Sequence, residues 1–402
     1  MVAVIRKLTL YRSVTLVLLF ALVSVPALGG DSDSDSRRDA QTGLQTAPIA
    51  ARNPAYNDGA RFIAGLTNPG GALAASENKP AWIKYAKFIN QSWERFDARH
   101  LAPMREWAAK ELGTAGAATV FYPFSGPDFV NMYALFPHAK TYLMIALEPV
   151  GEIPDFSAAA ANHFFAHLER SLYDLLQLNF FITEKLKNSL GEPELKGILP
   201  VLLFFLAREK TQVTDVRYWV MKPDGTIEES PAVGPRLVSR DDVAGVRINF
   251  ARPGSEDTQT LYYFRFNLRD DSLKRHEKFV SFLKGFGPLT TFAKAASYLM
   301  HKPRYAGIRQ FILDQSHYVL EGDSAIPVKY FDQTAWNLKF FGTYTSPIQY
   351  FKNFQQKDLA EIYKGSANVF PLPFGIDYCH RLNTSNLMLA SKKVELASGD
   401  LK

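Results

Sequence analysis

From residue 80 onward apolar side chains recur at helical or strand periods along most of the chain. Between residues 80 and 112, Trp82, Tyr85, Phe88 and Ile89 return every three or four positions, followed by Trp93, Phe96 and Trp107. That spacing collects them on one face of a helix. Pro103 lacks the amide hydrogen that a helix interior uses, so the stretch is expected to form two helices. Residues 117–122 then read as a short apolar strand. The loop Pro123-Phe-Ser-Gly-Pro-Asp128 leads into a short helix over 129–136, and 141–147 form a second strand. Strand, turn, helix and strand in that order make a βαβ unit, and such units are parallel and right-handed. A long helix is expected over 157–189, with Phe164, Leu168, Leu172 and Leu175 on one side and Gly191 as its stop.

Residues 197–207 include Leu202-Leu203-Phe204-Phe205-Leu206, apolar on every side, which fits either a buried strand or a core helix. The middle of the chain changes character. Residues 217–222 and 226–227 flank Pro223-Asp-Gly225, and Asp-Gly accepts the positive φ angles of a tight hairpin turn. Residues 246–250 and 261–268 suggest a second antiparallel pair, in which Tyr262, Phe264, Phe266 and Leu268 alternate with Tyr263, Arg265 and Asn267, leaving one face in water. Asp271 is placed to cap a helix running to Gly285. Residues 291–301 and 305–315 read as further helices, and 336–344 and 386–390 as strands. The fold class is therefore α/β: a Rossmann-like mixed sheet with antiparallel hairpin additions and an N-terminal helical pair. One large domain is expected over 58–402, with its helical part at 80–112 and its βαβ core at 117–190.

The first thirty residues follow a different logic. Arg6, Lys7 and Arg12 precede an uncharged apolar run over 13–25, and Pro26-Ala-Leu-Gly-Gly30 supplies a break followed by small residues. This is the build of a secretory signal peptide, and the run is shorter than the roughly 20 apolar residues a spanning helix needs. Residues 31–57, opening with Asp31-Ser-Asp-Ser-Asp-Ser36, read as a solvated, disordered tether. An exported protein, periplasmic or secreted and with no span left after cleavage, is the expectation.

Of the 402 residues 47% are hydrophobic and 21% charged, a globular composition. The net charge of +6 falls to about +3 once the leader's cations are removed, too even a balance for a nucleic-acid partner. Cys379, the sole cysteine, has no partner for an internal disulfide and reads as a structural thiol.

The βαβ segment carries the candidate chemistry. Ser125, Gly126, Asp128 and Glu148 fall at the carboxyl ends of adjacent parallel strands, where open α/β sheets form ligand crevices. They suit a polar small molecule, bound or processed; Ser125 and Asp128 equally suit capping the following helix. Gly126, with Glu148 twenty-two residues further on, makes residues 119–148 resemble the first two strands of the class I S-adenosylmethionine methyltransferases. That resemblance implies a cofactor sugar held by the carboxylate, yet the turn has one glycine and two prolines where the family has two or three glycines. The residues themselves name no cofactor.

His163 and His167 share a helical face but lack the glutamate of His-Glu-x-x-His, so they read as part of a polar stripe. Ser281 and Lys284 match Ser-x-x-Lys without a partner Lys-Thr-Gly strand, and Lys284 reads as a cationic helix end. Two polar stretches, 321–324 with Pro327, Tyr330 and Asp332 beyond it, and 371–377, are loops of the kind that carry sites and are equally ordinary turns. Together with residues 295–300 they are similar to stretches of exported bacterial proteins, a resemblance that assigns no residue a role. Beside ligand binding, the aromatic content leaves open a non-catalytic envelope or surface interaction protein, and methyl transfer stands third.

Overall fold

The computed structural model describes residues 53–113, 118–156, 163–181, 195–231, 239–255, 257–365 and 368–393. The leader and most of the tether lie outside them. The last residues of that tether, however, open helix α1 (Pro54–Ile63), where Asn53 accepts the Ala55 amide at 3.1 Å and Pro54 begins the first turn. None of the described helices is long and apolar enough to cross a membrane.

The chain is a mixed α/β protein built on one eleven-stranded sheet, with parallel and antiparallel pairings. In chain order the strands are β1 (Thr119–Pro123), β2 (Thr141–Ala146), β3 (Gln212–Met221), β4 (Ile227–Pro231), β5 (Val243–Ala251), β6 (Thr258–Arg265), β7 (Leu289–Ala293), β8 (Ser316–Glu321), β9 (Trp336–Gly342), β10 (Val369–Phe370) and β11 (Asn386–Lys392). Across the sheet they lie in the order β10-β9-β11-β8-β7-β1-β2-β6-β5-β3-β4. The five central strands, β8, β7, β1, β2 and β6, are mutually parallel. The hairpins β3–β4 and β5–β6 extend one flank antiparallel, and β11 is antiparallel to both β8 and β9 on the other.

Alternation within the strands divides the core between the two faces of the sheet. Val120, Tyr122, Tyr142 and Met144 point to one face, Phe121, Leu143 and Ile145 to the other. The first face packs against α1, α2 (Ala74–Glu77), α3 (Pro80–Phe96), α4 (Ala102–Glu111), α5 (Phe129–Leu135), α6 (Phe164–Leu178) and α7 (Leu199–Arg208). The second packs against α8 (Asp270–Arg275), α9 (Glu277–Lys284), α10 (Ala306–Gln315) and α11 (Lys357–Lys364). Residues 197–207, left between strand and helix by their pattern, form α7, buried over all ten residues as expected of a helix apolar all round.

Four sequence expectations change. Pro103 does not break the N-terminal helix open: a π turn, Asp97–Leu101, joins α3 to α4, with the Ala102 amide donating back to Asp97, and the proline sits in the first turn of α4. Residues 291–301 are not a helix. Leu289–Ala293 is strand β7, between β1 and β8, because Thr290, Thr291 and Phe292 fit a strand buried on both faces, while the Ala-rich run beyond them only mimics helical composition. The β5–β6 pair has no wet face: Tyr263 and Phe264 are both fully buried, one on each side, because Tyr263 packs in the core of the first face and Phe264 against Phe279 of α9 on the second. The helix expected up to Gly285 is divided at His276. Of the helix expected over 157–189, the described part spans Phe164–Leu178 and ends where Asn179 adopts a left-handed conformation.

Candidate functional site

Because the central strands are parallel, their carboxyl ends share one edge of the sheet. The chain steps from β1 to β2 to β6 in one direction and from β7 to β8 in the other, so its course reverses between β1 and β7. Loops leaving the two sides of such a point diverge and form a crevice.

Asp128, in the loop after β1, faces this point and is 2% exposed. Its Oδ2 accepts from the Tyr122 hydroxyl at 3.0 Å and from the Lys294 ammonium at 2.9 Å, and its Oδ1 accepts from Asn131 Nδ2 at 2.7 Å. It precedes α5 without capping it, since its oxygens serve the ion pair instead. Lys294 follows β7, is equally buried, and also donates to the Asn179 carbonyl. Burial pulls the Lys294 ammonium below its ordinary range, against the opposing pull of Asp128. His100, on the π turn, is buried nearby, and burial pushes its imidazole down to about 4, with Arg99 and Lys294 adding to the effect.

The other expected site residues lie along the same edge without joining this pair. The Ser125 amide donates to Ile145 at 3.0 Å and its hydroxyl to the Gly126 carbonyl at 2.9 Å. Gly126 has φ +54 with open space where a Cβ would stand, so glycine serves the turn here and no neighbour crowds it. Glu148, after β2, is 6% exposed, and its carbonyl accepts from the Tyr263 hydroxyl at 2.9 Å. The structure therefore gathers Ser125, Gly126 and Asp128 in one loop, directs Asp128 toward β7, and leaves Glu148 beside β6.

Beyond β7 the two polar stretches of the sequence, 321–324 and 371–377, meet residues 295–298. Asp323, after β8, accepts from the Tyr298 hydroxyl at 2.6 Å and from Asn386 Nδ2 at 3.0 Å. Asp377 accepts from Ser324 Oγ at 2.7 Å and from the Tyr378 amide at 2.6 Å. The Tyr378 hydroxyl bonds Ser297 and donates to the Ala295 carbonyl. A Cβ on Gly322 would stand 2.2 Å from Asp377 Oδ2, so only glycine lets these loops approach. Glu321, at the end of β8, accepts the Ile326 amide at 3.1 Å and lines a small cavity with Asp323, Gln356 and Asn386.

Among the described residues none of these three buried carboxylates forms an ion pair. Burial holds Glu321 well above the usual carboxylate range, with Asp377 and Asp323 adding to the push. Asp323 is raised by burial, and burial with the neighbouring Asp323 charge lifts Asp377 to about 6. Aromatic rings cover the cluster: Tyr298 packs against Phe351 at 4.9 Å and Phe354 at 5.3 Å, and Phe180 against Tyr378 at 5.4 Å. Beside them Tyr350 stands 85% exposed.

Lys294, His100, Tyr298 and Tyr378 were not singled out from the sequence. A lysine directly after a β-branched apolar strand was the available signal for Lys294, and reading β7 as a helix hid it. Among the described residues no group of three His, Cys, Asp or Glu is gathered to hold a metal ion, and His163 is exposed at the start of α6. Ser281 and Lys284 are both exposed on α9. The Cys379 thiol is half-buried, accepts from Thr345 Oγ1 at 3.6 Å, and is pushed up by burial, the reverse of an activated thiol. No protein-family model, curated protein or solved structure matches this chain.

Proposed function

We propose that this chain is an exported protein with a Rossmann-like core that holds a polar small molecule at the carboxyl edge of β7 and β8. The observation that carries the reading is the convergence of the loops after β7 and β8 and the segment before β11 on one network of hydroxyls and buried carboxylates. Crevices of open α/β sheets form at that edge, next to the reversal of strand order. The parallel order β6-β2-β1-β7-β8, stepping outward in both directions from β1 and β7, supports the Rossmann-like description. The cationic and apolar leader supports export.

This moves the centre of the expected site. Asp128 is occupied by Lys294, Tyr122 and Asn131, whereas Asp323 lines a small cavity, and Tyr298, which holds Asp323, and Tyr378, which adjoins Asp377, pack under an aromatic cover. Buried carboxyl groups with raised pKa values donate when protonated and accept when ionised, and aromatic rings beside them favour ligands with stackable faces. The loop after β1 fits S-adenosylmethionine poorly: Pro123 and Pro127 remove two amide donors, the Ser125 amide is spent on Ile145, and Glu148 is buried. No methyl-transfer step is derived from it. The exposed Tyr350, next to the half-buried Phe351, favours a second reading, a surface for another protein.

Small molecules released on denaturing protein purified from its own compartment test the first reading. A polar compound retained by the native chain and lost from Asp377→Asn is the expected result. An identical release profile from both proteins overturns it.

A further inference from the structure

Three cations lie beside this edge. Lys302 follows β7, Arg309 lies on α10, and Lys329 follows β8; none forms an ion pair among the described residues. Arg309 stacks on Tyr330 with its guanidinium carbon 3.9 Å from the ring centre, and Lys329 lies 5.3 Å from the same centre. Lys302 lies over Phe354, the ring that also meets His301 and Tyr298. Arg309 and Lys329 both act on His301, which joins the two halves into one patch, with Asp358 of α11 the acidic group that also acts on it.

Arg309 is held as a recognition group would be. One face rests on Tyr330 and Nη1 donates to the Met300 carbonyl, so its orientation is fixed, while Nε and Nη2 meet no acceptor among the described residues. A planar fork with free donors, flanked by flexible ammonium groups, matches the oxygens of a multivalent anion. Unpaired charges of one sign at the mouth of a cleft also raise the local concentration of such ligands.

We propose that this rim captures a phosphoryl group, so that the ligand held at the edge is a phosphorylated small molecule. The assignment rests on the polar-ligand reading above and narrows it. A phosphate dianion would lie between Arg309 and Lys329 beside Tyr330, with Lys302 reaching in from the Phe354 side, and the rest of the ligand would extend toward Tyr298 and Asp377. The simpler role for these cations is to offset the buried charge of Glu321, Asp323 and Asp377. That role needs no bound anion.

Calorimetric titration of the full chain with pyrophosphate at fixed ionic strength separates the two. Binding that weakens about tenfold or more in Arg309→Ala, in Lys329→Ala and in the charge-conserving Arg309→Lys, with unchanged melting temperatures without pyrophosphate, is the expected outcome. A parallel arm uses vesicles of phosphatidylglycerol against phosphatidylcholine. Binding to the anionic vesicles alone, lost in the same variants, keeps the site and makes a lipid headgroup the source of the phosphoryl group. Absence of binding in both arms, or binding undiminished in all three variants, overturns the assignment. If the rim variants bind pyrophosphate normally while Asp377→Asn still loses its native compound, the anionic class fails and the polar-ligand reading stands. If the rim variants lose pyrophosphate and Asp377→Asn retains its compound, the rim is a site of its own and the reading of the edge fails.

Discussion

At the boundary of β1 and β7, Asp128 meets an ammonium at 2.9 Å and two further donors, whereas beyond β8 the buried Asp323 and Asp377 are held by neutral donors alone. Both regions lie on one edge of one sheet, and both exclude water. The first answers a buried charge with an opposite charge and spends all its hydrogen-bonding capacity doing so. The second leaves charge repulsion in place, and its carboxyl groups shift toward the neutral form. Burial alone therefore does not mark a functional carboxylate. What distinguishes the second group is that burial and neighbouring negative charge both push its carboxyl groups toward the protonated form.

The comparison is broken most severely at Lys294. Lys294→Met strands the Asp128 carboxylate in the core, and removing one member of a buried pair is expected to destabilise the fold by about 3–5 kcal/mol, read from urea unfolding at pH 7. Adding Asp128→Asn to that variant is expected to restore much of the loss, because no uncompensated charge remains. A loss below about 1 kcal/mol in Lys294→Met would show that the pair is no more than a surface-like contact.

Asp377 tests the opposite case. Its pKa is raised from an ordinary 3.8 to about 6 in the folded chain, so the native state holds the proton more tightly than the unfolded one. This group's contribution to stability is thus complete below pH 4 and is lost as pH rises toward 6. Asp377→Asn is expected to flatten that slope and to gain on the order of 1–3 kcal/mol at pH 7. An unchanged slope with reduced stability would place Asp377 among the charged, fully compensated groups.

The smallest effect is a change in reactivity. Burial raises the Cys379 thiol, and the charges of Asp323 and Asp377 add to it. In Asp377→Asn the thiolate fraction at pH 8 should rise and alkylation should accelerate by a few-fold over the unsubstituted chain. Equal rates would mean that Asp377 carries no charge at that pH.

The sequence revealed this contrast unevenly. Strands β1 and β2 and the helix between them were legible because their apolar runs are bounded by glycine, proline and polar loops. The hairpins at Asp224-Gly225 and around β5–β6 were legible through turn chemistry and alternation. Strand β7 was not, since five residues buried on both faces show no alternation, and the alanines after it suggest helix. With β7 misread, Lys294 could not be placed opposite Asp128. Asp323 and Asp377 stood out as members of polar loops, but their meeting depends on β11 lying between β8 and β9, a long-range pairing that no local pattern records.

That interleaving also governs the order of assembly. Strand β11 is antiparallel to both β8 and β9, and β9 has no other neighbour except the two-residue β10. Until residues 386–392 have arrived, β9 and β10 have nothing to dock against, and an emerging chain exposes the open flank of β8 as an unprotected template for aggregation. Closure is a late event with long loops to fix, the slowest kind of strand pairing. A sheet of this topology locks its β8 flank only when the strand at 386–392 arrives.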